Sequence, residues 1–127
     1  MKQMSLLLLL VPLCAALHAE DQQTARIGDL KLENGEVIRD CVVGYRTFGM
    51  LSSQKNNVVV YLTYLGGNSA DLAGSIGAGK LVDSARYYVI VVDSLADGVS
   101  SSPSNSRTQP RLQFPKISIR DMVNAEH

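Results

Sequence analysis

Few residues in this chain have the types and spacing that chemistry needs. Gly74-Ser75-Ile76-Gly77-Ala78-Gly79-Lys80 has the spacing of a phosphate-binding loop, in which backbone N–H groups and a lysine cradle nucleotide phosphates. Leu81 stands where that site needs Ser or Thr to hold a metal, and the loop does not directly follow an apolar run. The stretch therefore reads as a glycine-rich crossover with a solvated Lys80. A serine nucleophile needs a sharp turn, usually Gly-x-Ser-x-Gly, with a histidine base and an orienting carboxylate. No serine sits between glycines at that spacing, the serines at 100–106 have no base beside them in sequence, and the only histidines are His18 and His127. Cys14 and His18 fall in an N-terminal stretch that reads as removed, and the one cysteine and one histidine left, Cys41 and His127, cannot make a closed metal ligand set without several organised carboxylates; no cofactor is implied. What survives is Leu65-Gly66-Gly67, where the glycines would let backbone amides approach a substrate oxygen without interference from Cβ atoms.

The elements that must position this turn follow from the apolar pattern. Residues 26–32 alternate apolar and polar, Asn34-Gly35 interrupts, and 37–47 resume, which is the mark of a β-hairpin. The runs 58–65 and 87–92 are nearly continuous and rich in β-branched residues, as in parallel strands buried on both faces. About twenty residues connect them, enough for a crossover but poor in helix formers. Residues 94–116 read as loop, rich in Ser, Gly and Pro. Ser118, followed three residues later by Asp121, fits a helix-start capping box, with Met122, Val123 and Ala125 opening the buried face.

Composition bounds the rest. Lys plus Arg and Asp plus Glu number 12 each in 127 residues, so no net positive field exists to attract nucleic acid or anionic lipid. With 46% hydrophobic and 19% charged residues the chain should fold as one domain. Lys2, the apolar run 6–11 and the small residues up to Ala19 read as a secretory signal peptide over 1–19, leaving 20–127 as the mature domain, periplasmic or secreted. The apolar stretch is shorter than the roughly 20 residues that span a bilayer, so no stable membrane anchor is expected. Cys41 reads as a lone core residue.

In order and spacing, several stretches together resemble the homoserine O-acetyltransferase branch of the α/β-hydrolases. They are Val43-Gly44-Tyr45-Arg46-Thr47-Phe48-Gly49, Asn57-Val58-Val59-Val60, Leu65-Gly66-Gly67, Ile76-Gly77-Ala78-Gly79-Lys80, Arg86-Tyr87-Tyr88-Val89-Ile90, Ser101-Ser102-Pro103-Ser104-Asn105 and Phe114-Pro115-Lys116-Ile117-Ser118-Ile119-Arg120-Asp121-Met122-Val123. The resemblance implies the N-terminal half of an α/β-hydrolase fold, an antiparallel hairpin followed by parallel strands. It also implies a small-molecule acyl substrate. By resemblance, Leu65 supplies an oxyanion-hole backbone N–H, with Gly66 and Gly67 beside the substrate. Thr63 stands where many members of the family carry histidine, and Ala78 where the family usually has proline. The family's serine elbow, aspartate and histidine come later in its order than the matched stretches. The expectation is a truncated, exported acyltransferase or ester hydrolase, inactive alone, with uncovered strands that could self-associate. The competing expectation is a non-catalytic exported binding module that reuses the half-fold.

Overall fold

A computed structural model describes residues 21–127; the expected signal peptide lies outside them. One four-stranded sheet runs β1 (Gln23–Lys31), β2 (Val37–Phe48), β4 (Tyr88–Val92), β3 (Val58–Leu62) across its width. β1 and β2 form the expected antiparallel hairpin, β2 pairs antiparallel with β4, and β4 pairs parallel with β3. The hairpin loop closes through Leu32 N–H to Glu36 O at 2.9 Å and Gly35 N–H to Leu32 O at 3.0 Å.

Two apolar layers cover the sheet. On one face Leu32, Ile38, Cys41, Val43, Val92 and Leu95 pack with Ala125 of α2 (Ile119–Glu126). On the other, Phe48, Val89 and Val91 pack with Ile76 of the crossover. Cys41 is fully buried, and that burial pushes its thiol up from the usual range, as suits a core residue.

The run 58–65, expected as a strand buried on both faces, is shorter and wetter than that: β3 ends at Leu62, with Val58, Val60 and Leu62 each more than 40% exposed. Among the described residues its outer edge is unpaired, in keeping with the uncovered strands expected of a partial fold. β1 is also largely exposed and kinked by register shifts around Gly28. The crossover contains only a short helix α1 (Ser69–Leu72) and a 3₁₀ turn (Ala73–Ser75), as its composition foretold. In the 74–80 loop, the amides of Ile76, Gly77 and Lys80 donate to Ala73, Val82 and Gly77 carbonyls. Those N–H groups are thus committed inside the loop. Lys80, read as solvated, also folds back: its Nζ donates to Gly74 O at 3.0 Å.

The segment after β4 is more ordered than its loop-like composition suggests. It continues along the β2 edge that β4 leaves open, with Asp93 N–H donating to Gly44 O and Ser101 N–H to Val42 O, both at 2.9 Å. Gln109 then brackets the far end, accepting from Arg39 N–H and donating to Val37 O. Gly44 sits under this segment, and a Cβ there would meet Val99 Cγ1 at 2.6 Å and Asp93 Oδ2 at 2.8 Å. Only glycine fits that crossing.

The helix α2 begins as the capping box requires. Ser118 Oγ accepts from Asp121 N–H, and Asp121 Oδ2 accepts from Ser118 N–H at 2.8 Å. Asp121 Oδ1 also accepts from Glu33 N–H at 2.9 Å, so one buried carboxylate ties the helix to the hairpin loop. Val123, expected on the buried face, is 50% exposed; Met122 and Ala125 pack against the core instead. The N–H groups of Ser118 and Glu33 hold the Asp121 carboxyl below the usual aspartate range. A lowered folded-state pKa contributes stability that is complete above the ordinary aspartate pKa of about 4 and lost as pH falls through the lower folded value. The urea-melt difference between wild type and Asp121→Asn should therefore shrink from pH 7 toward pH 3. Ser118→Ala should cost about 0.5–2 kcal/mol at pH 7. A difference for Asp121→Asn that grows on acidification would contradict this account.

Candidate active site

The turn that sequence reasoning singled out stands at the carboxyl ends of the two parallel strands. Gly67 N–H donates to Tyr64 O at 2.9 Å, closing a four-residue turn from Tyr64 to Gly67. Gly66 has φ +80° and Leu65 has no positive φ, which makes this a type II turn with glycine at its third position. The side chain of Leu65 is 96% exposed. Among the described residues neither the Leu65 nor the Gly66 backbone N–H donates to another group. Two adjacent amides are thus left for an acceptor outside the turn. Gly67 is buried, and the Tyr64 ring lies against it.

The strand ends beneath the turn are joined by polar groups. Thr63 N–H donates to Val92 O at 3.2 Å, and Thr63 Oγ1 accepts from Ser94 N–H at 3.1 Å while donating toward Ser94 Oγ. Glu126, at the end of α2, reaches Ser94 Oγ at 3.5 Å, and burial pushes its carboxyl above the usual glutamate range.

The residue that sequence reasoning missed is Asp93. Only 1% exposed, it follows β4 directly and accepts from Ser69 N–H at 2.6 Å, Ser69 Oγ at 2.9 Å and Gln22 Nε2 at 2.7 Å. Ser69 begins α1, one residue beyond the Asn68 cap that follows the turn. Asp93 therefore fastens the turn's downstream end to β4, and its own carbonyl accepts from the buried Ser100 Oγ. A charged residue closing a continuous apolar run was the available signal. The serines at 100–106 likewise prove to be loop anchors: Ser100 Oγ accepts from Gly44 N–H at 2.9 Å, and Ser102 Oγ accepts from Gly98 N–H at 2.8 Å.

The strand order β1-β2-β4-β3, antiparallel at the hairpin and parallel beyond it, with an amide-bearing turn after β3, defines a partial α/β-hydrolase fold. Within that superfamily the chain resembles the N-terminal part of the homoserine O-acetyltransferase-like branch, which includes esterases. It is 32% identical over 117 residues to a homoserine O-acetyltransferase of Geotalea daltonii, covering 77% of this chain and 32% of the relative. It is 34% identical over 103 residues to an ethyl acetate hydrolase of Pseudomonas veronii, covering 80% of this chain and 30% of the relative. The crystal structure of an acetylester hydrolase from Corynebacterium glutamicum superimposes with a TM-score of 0.79 at 33% identity, covering 84% of this chain and 31% of that one. The chain thus spans 30–32% of the length of the curated relatives it matches here. No family model matches it.

Proposed function

We propose that this chain is the N-terminal part of an exported ester hydrolase or acyltransferase of the serine type, in which the Leu65 N–H is one oxyanion-hole donor. The observation that supports the reading is the turn after β3, whose Leu65 and Gly66 amides project unpartnered from the ends of parallel strands. When a serine attacks an acyl carbonyl, the oxygen gains negative charge, and a fixed N–H directed at it lowers the barrier. The 127 residues contain no Gly-x-Ser-x-Gly elbow to supply that serine. They have a donor without a nucleophile. Hydrolysis is favoured over acetyl transfer, because an exported protein would meet little acyl-CoA.

The chain alone should show only background turnover with p-nitrophenyl acetate or with acetyl-CoA plus homoserine. Substituted for the equivalent segment of the Corynebacterium acetylester hydrolase, it should support ester hydrolysis. In that chimera Leu65→Pro deletes the N–H while keeping a residue that a type II turn favours at this position. It should lower kcat by about 10²–10³, whereas Leu65→Ala, which keeps the N–H, should stay within a few-fold. Equal activity of the two variants would place the donor elsewhere. Export is tested separately, by N-terminal sequencing of the secreted or periplasmic protein, with a start near Glu20 expected. An intact Met1 form confined to the cytoplasm would reject it.

A further inference from the structure

A cleft of 410 Å³ on the hairpin side brings together three arginines far apart in sequence: Arg26 of β1, Arg39 of β2 and Arg107 of the segment after β4. Asp40 is the only acidic residue lining it, so the cleft carries a formal charge of +2 on a chain whose charges balance overall. The one ion pair among the described residues joins Arg120 to Glu33, and none of the three cleft arginines has a carboxylate within 4.0 Å. Concentrated, unneutralised charge in a recess focuses its field on whatever enters.

The walls are held in place before any ligand arrives. The Gln109 carboxamide clamps the loop onto β2 at Arg39 and Val37, and the Asn105 carboxamide donates to the carbonyls of Gly98, Val99 and Ser100. Ser106 Oγ accepts from Gln109 N–H at 3.1 Å, which leaves its own proton free to donate at the rim.

From these observations the geometry points to an anion site between the hairpin and the 99–108 loop, taking a phosphate group carried by a small molecule. Guanidinium groups match phosphate oxygens with paired N–H donors, and three of them favour a dianion over chloride. A recess suits a small molecule better than a membrane surface. The inference stands independently of the oxyanion-hole reading.

Phosphorus NMR titration of the full chain with inorganic phosphate and with glycerol 3-phosphate tests it. Saturable broadening is expected at constant ionic strength, unmatched by an equal concentration of chloride as competitor. Arg39→Gln and Arg107→Gln should each weaken binding by about 5-fold or more, consistent with loss of a charge-assisted pair. Asp40→Asn should tighten it by removing the one repulsive charge. All three positions are exposed, and a thermal melt of each variant checks that the fold is kept. Failure of both phosphates to saturate, or binding that the arginine substitutions leave unchanged, would overturn the site. Co-sedimentation with phosphatidylglycerol vesicles in the absence of binding to either soluble phosphate would overturn the small-molecule assignment.

Discussion

Asp93→Ala is expected to destabilise the chain by about 2–4 kcal/mol, because it strands the buried Ser69 N–H, at a cost of roughly 1–3 kcal/mol, and removes the charge-assisted bonds of the Ser69 hydroxyl and the Gln22 amide, which keep only their longer bonds to Gln22 Oε1 and to the Tyr45 and Gln23 carbonyls. That is a large share of the ~5–15 kcal/mol that stabilises an ordinary domain. Asp93→Asn keeps the shape and one acceptor oxygen for the Ser69 N–H. A flip of the Gln22 amide lets its oxygen face the new NH₂ group at the cost of its longer bonds to the Tyr45 and Gln23 carbonyls, so this variant should lose less than the alanine, about 1–2 kcal/mol. Urea melts of the three proteins decide it. If the alanine and asparagine variants melt alike, Asp93 serves the fold through its backbone bonds to Gly44 and Ser100 rather than through its carboxylate.

The second large effect expected is self-association. β3 pairs with β4 on one side only, and among the described residues no strand occupies its other edge. Val58, Val60 and Leu62 lie on the same face as Ile90, the face on which α2 packs, but α2 leaves them 43%, 56% and 45% exposed. An unpaired edge beside wet apolar side chains is a template for another chain. Each large apolar side chain left in water forgoes roughly 1.5–3 kcal/mol of burial, so the drive to cover three of them is substantial. Sedimentation velocity should show species larger than a monomer that grow with concentration, and Val60→Lys should return the distribution toward monomer. A monodisperse monomer at every concentration, with one cooperative unfolding transition, would show that this edge does not recruit a partner.

The local chemistry of this protein was legible from its sequence. The Asn34-Gly35 hairpin, the two β-branched runs, the Ser118–Asp121 cap and the Leu65-Gly66-Gly67 turn all depend on residues within a few positions of one another, so neighbouring side chains suffice to specify them. The wider resemblance added an antiparallel hairpin joined to parallel strands, and the sheet has both; the order in which the strands lie came from the structure.

What only the tertiary structure decided concerns partners distant along the chain. Asp93 looks like a boundary in the sequence, because Ser69 and Gln22 lie 24 and 71 residues away, and nothing local marks them as its donors. The run at 58–65 reads as one strand buried on both faces because hydrophobicity alone marks neither where the chain turns nor what covers each face; β3 ends at Leu62, the chain turns at Gly66, and one face stays largely wet. Arg26, Arg39 and Arg107 are ordinary surface charges one by one. They share a cleft only because residues beyond β4 run back along β2, hydrogen-bonded to an edge that β4 is too short to cover.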